Sequence, residues 1–310
     1  MHPPSGPSKV LPWLSVAFCV CAWGSSFVAA RHLLHPATPG APALDPVTLA
    51  AARFSIASLF FAAPFAVALV RRRISGRDLL RMALLGQIAF SVYFWLQYTG
   101  VSKTNAGISA ILAVGLLPSA TALMAPLAGE RRPPAGAWAA LLLGFLGVAA
   151  IALDKPVSVS GTADFILGAL CLVANAFAFA LYSLLNRRWS KDIPPIRMTA
   201  GSMIFGTLGL LAMSAATPGE GWAALKSLEA TQGAALLFLS LACSVAGYVA
   251  WTYAMTRIEA GRATVWLYAE PVVAAALGWT VLGERYGWLA LAGAAAIGIS
   301  AVLATRHRPP

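Results

Sequence analysis

The chain has 310 residues, of which 59% are hydrophobic and only 11% charged, against roughly 25% charged in ordinary soluble domains. That composition excludes a soluble globular domain and points to a polytopic membrane protein. The net charge of +11, from 22 Lys and Arg against 11 Asp and Glu, would suit nucleic acid as readily as an oriented membrane protein, and the placement of the charges decides between them.

A bilayer-spanning helix needs about 20 apolar residues, and the sequence supplies that pattern repeatedly. In chain order the apolar runs cover 10–30, 47–70, 79–101, 106–128, 135–153, 163–186, 196–215, 232–256, 260–282 and 287–305. Each is set off by charges or turn residues, which predicts an all-α polytopic membrane protein of ten transmembrane helices. Alternating strands of about ten residues, the mark of a membrane barrel, do not occur in the pattern. The first run is too long for a signal-peptide core and has no clear cleavage site, so it reads as a retained span.

Ten spans leave both ends on one side. With the N-terminus inside, the inner connections and tails hold 16 of the 22 basic residues, including Arg71, Arg72, Arg73, Arg187, Arg188 and Arg257. The outer connections hold five, namely Arg31, Lys103, Lys155, Lys226 and Arg285, and Arg53 lies within a span. A basic excess on cytoplasmic loops is the usual orientation signal. The charge therefore predicts cytoplasmic termini and implies no nucleic-acid partner. Cys19, Cys21, Cys171 and Cys243 fall inside spans without zinc-ligand spacing, and the histidines lie in tails or loops, so neither a metal site nor a cofactor is expected.

The motif Gly-Glu-Arg occurs twice, at 129–131 and 283–285, each time after a long apolar run. Glu130 and Glu284 are 154 positions apart, and at that offset Ala106-Gly107 meets Ala260-Gly261 and Trp23 meets Phe177. Pro118 and Pro271 correspond within one residue. These anchors divide the chain into a first five-helix repeat, 1–155, and a second, 156–310. Five is odd, so the second repeat enters the membrane from the opposite side. Inverted-topology repeats are the plan of many secondary transporters, whose solute site lies near the midplane between the halves. The spacing from each glycine to the next glutamate, about 34 Å of helix, puts each glutamate at the start of the following span, where a helix N-terminus favours negative charge.

Trp23-Gly24-Ser25-Ser26-Phe27 in span one resembles the opening motif of the EamA family in the drug/metabolite transporter superfamily. So do AARFSIASLFFAAP at 51–64, NAGISAILAVGLLPSATALMAPLAGER at 105–131 and IEAGRATVWLYAEPVVAAALGWTVLGER at 258–285. The resemblance extends over nearly all ten spans. It implies a ten-helix fold with cytoplasmic termini, a place in the bacterial inner (plasma) membrane, and export of small metabolites rather than catalysis. Phe177 to Tyr182 replaces the tryptophan-glycine opening in span six, and Thr207 stands where the offset would put a partner for Arg53, so the halves are not equivalent.

Polar groups inside hydrocarbon need partners or water, so their spacing is informative. Span six places Asn175, Phe179, Tyr182 and Asn186 on one helix face, and span eight does the same with Ser240, Ser244, Tyr248 and Trp251. Span three carries Gln87, Ser91 and Tyr98 on one side and Tyr93 and Gln97 on another, and span nine joins Trp266 to Glu270. Interhelical hydrogen bonding alone accounts for any single stripe; four converging stripes predict a central cavity. Its expected solute contacts are Trp23, Tyr98, Asn175, Phe179, Tyr182, Ser244, Tyr248, Trp251 and Trp266. Aromatic faces with polar tips suit a neutral, especially aromatic, amino acid, and the family resemblance to YddG-type aromatic amino-acid exporters points the same way.

Two charges lie deep in spans, Arg53 and Glu270. Glu270 reads either as a proton, cation or amine site, or as a structural group that caps the backbone at Pro271 or pairs with Arg53. The structural reading is preferred because a dedicated proton coupler would usually have a second acidic group beside it. Pro118 and Pro271 each remove a helix hydrogen bond, which predicts bends in spans four and nine that serve as gates. Gly144, Gly147, Gly293 and Gly298 give spans five and ten smooth faces that support the fold or a dimer, so the chain is expected to work as a monomer or weak homodimer, with a small-molecule solute and the lipid bilayer as its partners. Transporters of nucleosides, drugs or sugar phosphates remain alternatives, although the latter would want several midplane basic residues. No P-loop, no His-Glu-x-x-His and no intramembrane histidine speaks for an enzyme, and a channel subunit leaves the repeat unexplained.

Overall fold

A computed structural model describes residues 10–36, 39–124, 126, 135–153, 162–189, 193–217, 221–258 and 266–306. Among them every regular element is helical. The first half comprises α1 (Val10–Leu34), α2 (Pro46–Val70), α3 (Gly76–Gly86), α4 (Tyr93–Lys103), α5 (Ala106–Gly115), α6 (Leu117–Met124) and α7 (Ala135–Leu153). The second comprises α8 (Thr162–Trp189), α9 (Pro195–Ala216), the short α10 (Gly221–Lys226), α11 (Ala230–Leu237), α12 (Gly247–Met255), α13 (Glu270–Leu282) and α14 (Trp288–Arg306). By length and composition seven helices can cross a membrane: Val10–Leu34, Pro46–Val70, Gly76–Lys103, Ala106–Met124, Ala163–Trp189, Pro195–Ala216 and Ala230–Met255. The apolar helices Trp138–Ile151, Trp266–Leu282 and Trp288–Leu303 are shorter.

The helix starts follow local chemistry. Asp45 accepts hydrogen bonds from the backbone N–H groups of Val47 and Thr48, with Pro46 in the first turn, where its missing N–H costs nothing. Ser75 caps α3 in the same way through Asp78 N–H. At α11, Glu229 and Gln232 satisfy each other's backbone in a capping box.

Two features were not legible in the sequence. The joins from α3 to α4 and from α11 to α12 are π-helical, over Gln87–Val92 and Phe238–Ala246. They end 154 positions apart, the offset of the twin Gly-Glu-Arg motif. Such turns widen a helix locally, re-aim its side chains, and are frequent at functional sites. The second feature is the irregular turn just before each of the two prolines. Span four breaks at Leu116, and Pro118 is the second residue of α6. Pro271 is likewise in the first turn of α13, after the 3-10 turn Trp266–Ala269. Each proline stands two residues past an irregular turn, where the backbone hydrogen bond it removes would have been.

The small-residue faces of spans five and ten meet within the chain. A Cβ added to Gly147 would come 2.7 Å from the Gly293 carbonyl oxygen, and one on Gly293 would come 2.5 Å from that of Gly147. Only paired glycines let α7 and α14 approach so closely. Ser300 Oγ, 2.5 Å from the Ala140 carbonyl and 3.1 Å from Ser119 Oγ, fixes the same seam.

The first Gly-Glu-Arg motif and Ala260-Gly261 lie outside the described residues. The second motif is described, and its glutamate caps a different helix from the one expected. Glu284 accepts from the N–H groups of Ala106 (2.6 Å) and Gly107 (3.2 Å) at the start of α5 in the other half, rather than from α14.

Candidate functional site

Arg53 lies in the third turn of α2 and is only 2% exposed. Its Nε donates to Ser244 Oγ (2.8 Å) and its Nη1 to the Tyr98 hydroxyl (2.6 Å). The guanidinium also lies over the rings of Phe54 and Phe94, 5.0 and 4.8 Å from their centroids, a cation–π arrangement that partly offsets desolvation. Ser244 owes its position to the second π-helical stretch, where its hydroxyl donates to the Leu239 carbonyl five residues back.

Trp23 of α1 donates its indole N–H to the Cys243 carbonyl at 2.9 Å. Cys243 Sγ donates to the Ala22 carbonyl and Cys19 Sγ to that of Gly247. Three contacts thus stitch α1 to the π-helical stretch and α12. On the other side of α1, a Cβ on Gly24 would meet the Glu270 carbonyl oxygen at 2.8 Å, so the glycine of the tryptophan-glycine pair lets α13 lie against α1.

From Trp23 an unbroken series of ring contacts crosses the interior. Trp23 touches Trp251 and Tyr248, with centroids 5.5 and 5.9 Å away, and Tyr248 touches Phe90 at 5.6 Å. Phe90 and Phe94 flank Phe54 at 5.2 and 4.5 Å. Phe94 meets Tyr98 and Tyr93, and Tyr93 meets Phe179, which meets Tyr182 at 6.0 Å. Tyr93, Tyr182 and Tyr248 are half-buried.

Asn175 is fully buried and donates through Nδ2 to the Tyr93 carbonyl (2.8 Å). That bond fixes the amide orientation and leaves its Oδ1 buried without a partner; Gln97 Oε1 is in the same position.

Of the residues expected at the site, Trp23, Arg53, Tyr98, Asn175, Phe179, Tyr182, Ser244, Tyr248 and Trp251 are brought into one network. Trp266 stands apart, 56% exposed and edge-on to Trp13, with centroids 6.4 Å away. Glu270 heads α13 and is 6% exposed. Pairing with Arg53, one of the two structural roles expected of Glu270, is not formed, since among the described residues the ion pairs are Arg81–Asp78 and Lys103–Asp164. Phe54, Phe90, Phe94 and the Cys243 carbonyl were missed. The spacing of Phe90 and Phe94 at successive steps of four before Tyr98 was the signal that could have found two of these partners.

The profile of the EamA-like transporter family matches residues 11–153 and again 166–306. The chain belongs to the EamA-like transporter family. Several curated relatives span nearly its whole length. An "Uncharacterized transporter" of Archaeoglobus fulgidus is 24% identical over 96% of this chain and 99% of its own. A "Probable terminal-alkyne amino-acid exporter" of Streptantibioticus cattleyicolor is 28% identical over 95% and 93%. An "Uncharacterized inner membrane transporter YedA" of Escherichia coli is 27% identical over 91% and 88%. A crystal structure at 22% identity, with a TM-score of 0.59 over 95% of this chain and 96% of that one, shares the fold. This EamA-like protein is thus a multi-pass membrane transporter of small molecules.

Proposed function

We propose that this EamA-like protein is a secondary transporter that exports small metabolites, neutral or aromatic amino acids first, by alternating access through a cavity between its two halves. In this reading all ten apolar helices cross the membrane as two inverted five-helix repeats, 1–155 and 156–310, with both termini in the cytoplasm of a bacterial inner membrane. The observation that carries it is the interior ring network, to which both halves contribute. Trp23, Tyr93 and Tyr98 come from the first half, and Asn175, Phe179, Tyr182, Tyr248 and Trp251 from the second. A solute held by groups from both halves can be passed between two access states when the halves rock against each other. Trp23, Tyr98, Asn175, Phe179, Tyr182, Tyr248 and Trp251 are the proposed solute contacts, Ser244 holds Arg53 in place, and the interruptions before Pro118 and Pro271 are the proposed gates. The amino-acid preference draws on the aromatic lining and on the name of the Streptantibioticus relative.

The test is uptake into proteoliposomes of a panel of amino acids, nucleosides and sugars, with and without a pH gradient. Saturable amino-acid flux is expected. Absence of saturable flux for every solute contradicts the transporter mechanism, and flux for nucleosides or sugars alone moves the substrate class.

A further inference from the structure

Five arginines gather where α2 gives way to α3, at positions 71, 72, 73, 77 and 81. The acidic residue among them is Asp78, which pairs with Arg81 at 3.2 Å and accepts from Ser75 Oγ at 2.6 Å. Arg71, Arg72, Arg73 and Arg77 are exposed and have no ion-pair partner among the described residues. A sixth arginine comes from the second half, since Arg197 of α9 donates from Nη1 to the Arg73 carbonyl at 3.1 Å. Beneath the cluster the three helices converge, because a Cβ on Gly201 of α9 would meet both the Met82 sulfur of α3 and the Phe65 ring of α2.

We propose that this arginine cluster binds the headgroup of an anionic phospholipid, whose acyl chains lie along the exposed apolar flanks of α2 and α3. The inference goes beyond solute transport. The topology proposed above enters only in making the leaflet concerned the cytoplasmic one.

The charge of the cluster is uncompensated within the protein. Four neighbouring cations without a counter-ion attract an anion, and the guanidinium fork matches phosphate oxygens. Arginine clusters at the ends of spans are the usual attractors of anionic headgroups.

The backbone at Arg72 is the second observation. Helix α2 ends in a Schellman turn, in which Arg73 N–H donates to the Ala68 carbonyl and Arg72 N–H to that of Leu69, both at 2.9 Å. Arg72 takes the left-handed place in that turn, with φ at 50°. Among the described residues it is the one non-glycine residue with positive φ. The fold by itself favours glycine there, because a Cβ crowds the backbone. Strain of this kind collects at functional sites.

The flanks supply the third. Arg77, Leu80 and Leu84 follow at steps of three and four on one face of α3, and all are exposed. Phe60, Val67 and Arg71 do the same on α2 at steps of seven and four. Each stripe carries a cation at its end and exposed apolar side chains over about 10 Å or more of helix below it. A phospholipid is divided in the same way, whereas free phosphate or nucleic acid would leave the apolar flanks unused.

The experiment is native mass spectrometry of the full chain in lipid-free detergent, titrated with dioleoyl phosphatidylglycerol or with dioleoyl phosphatidylcholine, which has the same chains and no net charge. Wild type should bind the anionic lipid about tenfold more tightly or better. Arg72→Gly removes the charge and the backbone strain together. Its affinity for the anionic lipid should fall roughly fivefold, the attraction of one arginine near the surface, while its lipid-free Tm holds or rises. Arg71→Gln, Arg73→Gln and Arg77→Gln combined should bring the preference close to one. Lys226→Gln, Arg257→Gln and Arg285→Gln combined remove the same charge elsewhere on the surface and should keep it. Equal binding of the two lipids by wild type, or equal loss of preference in both triple variants, would overturn the proposal. So would a lowered Tm with unchanged affinity in Arg72→Gly. Displacement of the anionic lipid by inorganic phosphate or a short DNA duplex, at an ionic strength where chloride does not displace it, would also overturn it by making the cluster a site for soluble anions. Should the first triple variant fail to fold, Arg72→Gly and the lipid pair decide it. No solute enters the assay, so its outcome is separate from that of the transporter reading.

Discussion

Replacing Glu284 tests how the two halves are tied on the side expected to face out. Its carboxylate accepts from Ala106 N–H at 2.6 Å, Gly107 N–H at 3.2 Å and the Tyr286 hydroxyl at 2.7 Å. Asn105, at the N-cap position of α5, makes no side-chain cap bond, so a residue at the end of span nine caps span four. Burial, and then the bond to Glu284, holds the Tyr286 phenol well above its usual range, so it remains a donor. A hydrogen bond to a charged group contributes about 1.5–3 kcal/mol, and loss of a helix cap costs about 1 kcal/mol. Because the three bonds share one carboxylate they do not add fully, and Glu284→Ala should weaken this contact between the halves by about 3 kcal/mol, a factor of roughly 150. Glu284→Gln, which keeps one acceptor oxygen, should fall between. The assay is mass-spectrometric labelling of the buried thiols Cys19 and Cys243 by a membrane-impermeant reagent added from outside, together with thermal unfolding in detergent. Labelling at least tenfold faster in Glu284→Ala, with a lower Tm, is the expected result. Wild-type labelling and a wild-type Tm in that variant would refute the claim that this contact holds the halves together.

Other outcomes follow from the same geometry. Trp23→Phe removes the donor to the Cys243 carbonyl and should cost about 1–3 kcal/mol if the carbonyl stays dry, read as a lower Tm. Gly147→Val and Gly293→Val should each destabilise by about 1–3 kcal/mol or more, while Gly298→Ala, with nothing within 4 Å of the added carbon, should leave Tm unchanged. His35, just beyond α1, is held below its usual range by burial and then by Arg31, and donates to the Ser102 carbonyl at 2.6 Å. The unfolded state, with a histidine pKa near ~6.5, therefore takes up the proton first, so stability should decline as pH falls through that value toward the lowered folded one; His35→Asn should flatten the decline. Pro118→Ala and Pro271→Ala should slow transport several-fold with little change in Tm, and unchanged rates in both would remove the gating role.

The membrane class and the helical segments were legible because they rest on long apolar runs and on charge counts, which survive small errors of register. The smooth faces of spans five and ten were legible as close-packing surfaces, and Gly147 against Gly293 is that packing. Most stripe residues were drawn together because helical spacing fixes which side chains share a face. Three things escaped. The π-helical stretches have no composition signal, yet the second one sets where Ser244 meets Arg53. Trp266 was grouped with Glu270 by a helical step of four, but a 3-10 turn precedes Glu270 and turns the indole outward toward Trp13. The Arg53–Glu270 pairing was inferred from opposite charge alone, and the Tyr98 and Ser244 oxygens take Arg53 instead.

The most direct test of the transporter mechanism is counterflow. Proteoliposomes preloaded with unlabelled L-phenylalanine and diluted into trace labelled L-phenylalanine should accumulate label transiently above equilibrium, because a site exposed to one side at a time returns loaded from the other. Monotonic filling to equilibrium, unchanged by the preloaded solute, would contradict alternating access and favour an open pore.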